Sequence, residues 1–133
     1  MSWVNAPPAR ETIHAGDAPA AIGPYSHAVR LGQLLFCSGQ IPLDPLSGEL
    51  VAGGISAQAR RCLQNLEAVA GAAGTTLAQA LRITIYMVDL SAFAEVNQVC
   101  EQFFAVDPPA RATVGVAALP RGAAVEIDAI IAL

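Results

Sequence analysis

The sequence contains no lysine, and all seven of its cationic side chains are arginines. A lysine Schiff base is therefore excluded, and with it catalysis by lysine-bound pyridoxal phosphate or a phosphate-binding loop that ends in lysine. The arginines and aromatic residues are scattered along the chain, and the net charge is -4. Because nucleic-acid-binding proteins usually carry a basic face with aromatic side chains, the composition argues against nucleic acid as the main partner.

Charged residues are also scarce, since they make up 14% of the 133 residues while hydrophobic residues make up 54%. Soluble domains usually contain about 25% charged residues. A chain of this length forms one domain with a substantial core, but a monomer would also need a charged exterior. We therefore expect part of the surface of this single domain, residues 1–133, to be covered by further copies of the chain.

Cysteine is limited to Cys37, Cys62 and Cys100, an odd number without a Cys-x-x-Cys pair. This pattern argues against a disulfide framework and fits a reducing cytosol. The first residues lack a basic region followed by an apolar stretch, and no apolar run is long enough to span a membrane. We predict a cytoplasmic protein. His14 and His27 have no carboxylate nearby at metal-ligand spacing, so no metal site is predicted.

Hydrophobic spacing predicts two helices and five strands after a loose N-terminal arm over residues 1–11. The first helix is predicted over 56–72, with Ser56 as its N-cap and Gly74 as its stop. The second begins near Ser91 and ends before two consecutive prolines. Strands are predicted over 27–30, 34–38, 81–88, 112–118 and 123–131. Helices that pack on a shared sheet give a two-layer α+β domain.

The strand predicted over residues 81–88 has two faces of different character. One face is wholly hydrophobic and is formed by Leu81, Ile83, Ile85 and Met87. The other is half polar and is formed by Arg82, Thr84, Tyr86 and Val88. Alternation places the first face in the core and leaves the second for a neighbouring subunit. The aromatic residues of the second helix, Phe93, Phe103 and Phe104, are interpreted as core.

Three segments of the chain share the pattern of one known family. They are residues 18–26 (APAAIGPYS), residues 37–42 (CSGQIP) and residues 109–127, which begin PARATV and end VEI. On these motifs the sequence resembles the reactive intermediate deaminase family, also called the RidA, YjgF or L-PSP family. Weaker agreement extends the similarity over about residues 12–132. Three motifs in order at the right spacing are more specific than any one of them.

The resemblance implies a fold, an assembly and an activity. The fold is a two-layer α+β sandwich of the chorismate-mutase-like type, with two helices on one face of a mixed sheet of about six strands. The assembly is a homotrimer with sites in the clefts between subunits. The activity is hydrolysis of reactive 2-imino and 2-enamino acids, 2-aminoacrylate being the type substrate, to 2-keto acids and ammonia. No cofactor is required.

Two residues of the third motif are the predicted catalytic pair. Arg111 would grip the substrate carboxylate, because guanidinium offers two parallel donors that match two oxygens. From composition alone, a solvent-exposed arginine or one in a salt bridge is the commoner explanation for Arg111. The match to the family motif makes substrate binding the preferred explanation. Glu126 would move protons or orient the attacking water. A carboxylate between Val125 and Ile127 is out of character for a strand, although acids also occur on the wet face of an edge strand.

Five further residues are predicted to bind the substrate: Tyr25, Ser38, Gly39, Asn97 and Thr113. Tyr25 would line the cleft, while Ser38 and the backbone N–H of Gly39 would donate to the carboxylate. Asn97 is expected to be a buried amide that bonds to the backbone. Thr113 stands where cysteine is common in the family, and would act through its backbone carbonyl.

Two other functions stay open at this point. One is an endoribonuclease or translation inhibitor of the L-PSP type, for which a steep salt dependence of RNA binding would be diagnostic. The other is a non-catalytic binder of small carboxylates or a chaperone-like trimer, which would use Arg111 but not need Glu126. A smaller departure from the family is His27, which replaces a common glutamine, and a minor effect is expected.

Overall fold

The protein is described by a computed structural model that covers residues 9–133. Its strands are β1 (Glu11–Ile13), β2 (Ala28–Leu31), β3 (Leu34–Gln40), β4 (Ala80–Met87), β5 (Ala110–Gly115) and β6 (Val125–Ala132). Its two α-helices are α1 (Ile55–Ala72) and α2 (Phe93–Phe103). The predicted N-terminal arm, residues 1–11, lies largely outside the described residues, and Glu11 begins β1.

The six strands form one sheet in the order β1-β2-β3-β6-β4-β5. All neighbouring strands are antiparallel except β4 and β5, which are parallel and are joined through α2. A parallel pair needs such a crossover. Both helices share one core with the sheet. The predicted two-layer α+β fold, with two helices on a mixed sheet, is confirmed.

The core lies between α1 and the helix-facing side of the sheet. The residues that α1 buries recur at helical spacing and include Ala59, Cys62, Leu63, Leu66 and Val69. Strand β6 alternates between buried and half-buried side chains along its whole length. Burying a large aliphatic side chain stabilises a protein by about 1.5–3 kcal/mol. The helical spacing in α1 and the two-residue alternation in β6 therefore determine which side of each element faces the core.

Leu81 is not a core residue, and its prediction as one was wrong. The pairing of β4 with β6 is irregular between Ala80 and Arg82. Ala80 consequently turns into the core, and Leu81 is 49% exposed. An extra residue in one strand of a pair reverses the alternation of the side chains beyond it. The sequence alone contains no signal that predicts such a bulge in β4. The remaining members of the predicted core face, Ile83, Ile85 and Met87, are buried.

The helix ends also differ in detail from the prediction. Gly54 rather than Ser56 caps α1, and the helix ends before Gly74, whose φ of 82° suits glycine as predicted. A short 3₁₀ turn over Leu90–Ala92 precedes α2, and the Asp89 side chain accepts the Ser91 N–H there. No helix in residues 9–133 is both long and apolar enough to cross a bilayer.

The sheet face opposite the helices, called here the bare face, carries Glu126, Asp128 and Tyr86 in its centre. It also exposes the large apolar side chains Phe36 (42%) and Val114 (40%). The Tyr86 hydroxyl donates a hydrogen bond to Asp128 at 3.0 Å. Exposed apolar side chains beside a polar centre are typical of a surface that a partner covers, in line with the expected self-association.

Candidate functional site

Arg111 lies on the edge strand β5 with its side chain on the helix face. Its in-register neighbour on β4 is Ile83, a core residue. The guanidinium Nη1 donates to Asn97 Oδ1 of α2 at 2.8 Å. The guanidinium carbon also lies 5.4 Å from the centre of the Phe93 ring, within cation–π range. These two contacts orient a side chain that is otherwise exposed to solvent.

A cavity of about 460 Å³ adjoins Arg111 and is lined by Ile83, Asn97, Cys100, Glu101, Phe104, Pro108 and Pro109. The two prolines precede β5 and restrict the backbone that leads to Arg111. Among residues 9–133, no carboxylate forms an ion pair with Arg111. The N–H groups of the guanidinium that do not bind Asn97 are therefore available to bind an anion from outside the subunit. Arg111, Asn97, Phe93 and this cavity together form what we call the arginine half-site.

Two predictions about α2 were wrong. Asn97 is half-buried and accepts a hydrogen bond from Arg111, rather than bonding to the backbone from a buried position. Phe93 is 41% exposed and lies against Arg111, rather than in the core. The four-residue spacing of Phe93 and Asn97 places both on one side of the helix, which is the signal that could have paired them.

The remaining predicted residues, apart from Thr113, gather at a second cavity of about 340 Å³. It is lined by Ile22, Tyr25, Ser38, Gly39, Ile41, Pro120 and Glu126. We call it the glutamate half-site. The Tyr25 hydroxyl accepts the Ile22 N–H at 3.3 Å, and the Ser38 hydroxyl donates to the Ser26 carbonyl at 2.6 Å. Since a serine has only one proton to donate, the predicted donation from Ser38 to a substrate would require this bond to break.

Glu126 lies directly against Gly39 because β3 contains a bulge at this point. The register with β6 passes from Cys37↔Ala129 to Gln40↔Ile127. Ser38 and Gly39 therefore oppose a single residue of β6, an arrangement often found beside active sites. A Cβ on Gly39 would overlap the Glu126 carboxylate, with Cδ only 2.9 Å away. A side chain at position 39 would therefore displace the Glu126 carboxylate, which is the flexible end of its side chain.

The surroundings of Glu126 favour its protonated form. Burial raises the pKa of the carboxyl group, and the negative charge of Asp128 on the same face raises this pKa further. A carboxyl pKa shifted toward neutrality makes proton exchange with a substrate or water more effective. Asp128 itself accepts the Tyr86 hydroxyl, and this hydrogen bond raises the pKa of Tyr86.

The two predicted catalytic residues do not meet within one subunit. Glu126 of β6 lies opposite Tyr86 of β4 in the strand register, with its side chain on the bare face. Arg111 of β5 lies opposite Ile83 of β4, with its side chain on the helix face. Strand β4 separates the strands that carry them, so those strands are about 10 Å apart and the sheet divides their side chains. A site that uses both residues must therefore be formed by two copies of the chain.

Thr113 lies on the same face of β5 as Arg111, in register with Ile85. Its Oγ1 is buried and forms no hydrogen bond with any residue in the described part of the chain. The role of its backbone carbonyl in substrate binding stays a prediction.

The three cysteines, Cys37, Cys62 and Cys100, are buried free thiols. Burial raises the pKa of Cys37 to about 12 and also raises the pKa values of the other two. Because a reactive cysteine needs a lowered pKa, none of the three is suited to nucleophilic chemistry. No three His, Cys, Asp or Glu side chains within residues 9–133 are grouped as metal ligands.

The fold and the two half-sites define a class of small α+β domain. Its mixed sheet carries helices on one face, an oriented arginine at one edge and a partly buried glutamate on the bare face. A family model described as Endoribonuclease L-PSP matches residues 15–133. The chain belongs to this family, the RidA, YjgF or L-PSP family that its motifs resemble.

Relatives in this family match nearly the whole chain. Protein DfrA of Myxococcus xanthus is 54% identical over 124 residues, which cover 92% of this chain and 95% of that protein. The 2-iminobutanoate/2-iminopropanoate deaminase of Mus musculus is 45% identical over 121 residues, which cover 91% of this chain and 90% of the mouse protein. A crystal structure of E. coli TdcF with bound serine has a TM-score of 0.88 at 40% identity, and covers 92% of this chain and 98% of that one.

Proposed function

We propose that this chain hydrolyses 2-imino acids and their enamine tautomers to 2-keto acids and ammonia. The observation that carries the proposal is the division of the predicted site into two complementary half-sites. One offers an oriented guanidinium without an ion-pair partner among the described residues, and the other offers a carboxyl group with a raised pKa. The mouse relative named as a deaminase of 2-iminobutanoate and 2-iminopropanoate supports this reaction.

The chemistry requires a carboxylate grip, a placed water and a proton carrier. Arg111 binds the substrate carboxylate with paired N–H donors, and Asn97 keeps its guanidinium in the required plane. Ionised Glu126 accepts a proton from water as the water oxygen adds to the imine carbon. Protonated Glu126 then returns this proton to the nitrogen, which gives the carbinolamine. As the C–N bond breaks, ionised Glu126 takes the proton of the carbinolamine hydroxyl, the C=O bond forms, and Glu126 passes that proton to the departing nitrogen, so that ammonia and the 2-keto acid leave and Glu126 is ionised again. Water is the only co-reactant, and no electrons are transferred.

The walls of the glutamate half-site support a small substrate with a short aliphatic side chain. Ile22, Ile41 and Pro120 supply apolar surface to its lining, and Tyr25, which also lines it, is 42% exposed. We assign Ser38, the Gly39 backbone and the Thr113 carbonyl to the lining that contacts the substrate. Apolar lining with a few polar groups is typical of sites for small organic molecules.

The proposal includes a cytoplasmic homotrimer with each site between neighbouring subunits. The opposed positions of Arg111 and Glu126 require a second copy, and the exposed Phe36 and Val114 on the bare face give that copy an apolar surface to cover. Free buried thiols fit a reducing compartment. The alternative of an endoribonuclease gains no support from the charge of the chain, which is -4 without a single lysine.

The reaction is tested by generating 2-aminoacrylate in place with a serine dehydratase and following its conversion to pyruvate. We expect addition of the protein to accelerate the hydrolysis in proportion to its concentration. The matched control omits this protein and keeps the dehydratase. Intermediate that decays at the same rate in both mixtures, with a correctly folded trimer present, would show that the chain is not an imine deaminase.

Gly39→Ala should impair hydrolysis while the subunit remains folded. The new methyl group would push the Glu126 carboxylate away from its position, and misplacing a reacting group by about 1 Å can cost about a hundredfold in rate. Steady-state turnover and the thermal unfolding midpoint would be measured together. Gly71→Ala in α1 is the control, because a Cβ at Gly71 meets no neighbouring atom within 4 Å and Gly71 lines neither half-site. If both variants turn over substrate at the wild-type rate, the close packing of Glu126 on Gly39 has no bearing on activity.

A further inference from the structure

We infer that His27 is a positioning residue that holds the loop of Tyr25 at the glutamate half-site through one fixed, neutral tautomer. This inference rests on the proposed function, because Tyr25 matters only if the half-site binds substrate. The Tyr25 loop is defined as residues 14–26, between β1 and β2. His27 follows it directly and is 5% exposed.

Both ring nitrogens of His27 bind the backbone of the Tyr25 loop. The Ala15 N–H donates to Nδ1 at 2.8 Å. Nε2 lies 2.8 Å from the Pro19 carbonyl oxygen. An amide N–H can only donate and a carbonyl can only accept, so Nδ1 carries no proton and Nε2 carries one. The ring is therefore neutral, and any other protonation state would set one N–H against another at Ala15.

The same loop is tied down at its far end by β3. The Ser38 N–H donates to the His27 carbonyl at 2.9 Å, and the Ser38 hydroxyl donates to the Ser26 carbonyl at 2.6 Å. His27 thus holds the loop at Ala15 and Pro19, and Ser38 holds it at Ser26. Between these attachments runs the short span that carries Ile22 and Tyr25 into the glutamate half-site.

The span itself contains only weak internal restraints. Its two hydrogen bonds join the Ile22 N–H to the Tyr25 hydroxyl at 3.3 Å and the Tyr25 N–H to the Gly23 carbonyl at 2.9 Å. Tyr25 is 42% exposed, so packing alone does not fix its ring. The position of Tyr25 therefore depends on the attachments at the two ends of the span, those of His27 at Ala15 and Pro19 and that of Ser38 at Ser26.

The inference predicts different outcomes for two substitutions of His27. His27→Gln supplies both an acceptor and a donor on one amide group, and should keep kcat/KM for the imino acid within about threefold of wild type. His27→Leu removes both bonds but keeps a side chain of similar size at this buried position. It should lower kcat/KM by about tenfold to a hundredfold, in line with the cost of a misplaced site residue. If His27→Leu does not fold, His27→Asn takes its place, since its shorter amide cannot reach both partners.

A double-mutant cycle with Tyr25→Phe separates positioning from a general loss of stability. If His27 acts through Tyr25, the effect of His27→Leu should largely disappear when Tyr25 is already changed. Nitrogen spectra of the wild-type imidazole should show a protonated Nε2 and an unprotonated Nδ1. Full additivity of the two changes, wild-type turnover in folded His27→Leu, or a proton on Nδ1 would overturn the inference. An inactive wild-type protein would instead refute the proposed function, while the nitrogen spectra would still report on the His27 attachment.

Discussion

Arg111→Lys is expected to lower kcat/KM for 2-iminopropanoate by about a hundredfold or more without unfolding the protein. Lysine keeps the charge but loses the planar fork, so it cannot bind Asn97 and hold both carboxylate oxygens together. Each hydrogen bond to a charged group contributes about 1.5–3 kcal/mol, which for one bond already corresponds to about tenfold or more. Steady-state turnover, with molar mass by light scattering as the check on assembly, measures the effect.

The matched control for this change is Arg60→Lys. Arg60 of α1 also donates through Nη1 to a side-chain amide oxygen of α2, that of Gln102, at 2.7 Å on the exposed surface. It lines neither half-site, so its turnover should equal that of the wild type. Near-wild-type turnover in Arg111→Lys would show that paired capture of the carboxylate is not needed. An equal loss in both variants would point to a general effect of replacing arginine.

Glu126→Gln should reduce turnover by about a hundredfold to ten-thousandfold, the usual contribution of a general acid–base group. Binding of pyruvate, a stable keto acid, should survive because Arg111 is unchanged and glutamine has nearly the same shape beside Gly39. Turnover and pyruvate affinity would be measured on the same preparation. Retention of both would favour the non-catalytic carboxylate binder. Loss of both, together with loss of the proposed trimer, would make Glu126 a structural residue.

The pH dependence of stability offers an independent check on Glu126. Its pKa is raised in the folded protein, so the protonated group contributes stability below its unfolded pKa, and this contribution is lost as the pH rises through the folded value. Glutamine stays neutral throughout. The stability of Glu126→Gln relative to wild type, measured by urea unfolding, should therefore increase with pH over this range. A difference that does not change with pH would contradict the assigned environment of Glu126.

Most of the fold could be predicted from hydrophobic periodicity. Each periodicity permits only one face of its element to turn inward. In α1 this is the helical spacing of Leu63, Leu66 and Val69, and in β6 it is the two-residue alternation around Val125 and Ile127. Strand β1 has three residues, which is too short for any period to show. The bulge that exposes Leu81 depends on how β4 aligns with β6, and a single strand's sequence does not record that alignment.

The candidate site was predictable as a set of residues but not as an arrangement. The motifs supplied Arg111, Glu126 and Tyr25, and the structure places the last two at one cavity. That Arg111 lies on the opposite face follows from strand order and register, which are properties of the whole sheet. The role of Phe93 was missed because an aromatic residue on an amphipathic helix is usually core. Here Phe93 is the first residue of α2 and lies beside Arg111.

The most direct test of the account is to co-express Arg111→Lys and Glu126→Gln subunits with different tags and to purify the mixed trimers. Each parent trimer should be nearly inactive. If every site of the proposed homotrimer takes Arg111 from one subunit and Glu126 from its neighbour, each mixed trimer has one of its three sites with both native residues. The purified mixed trimers should therefore recover about one third of the wild-type hydrolysis rate. Mixed trimers that are no more active than their parents would contradict a site shared between subunits.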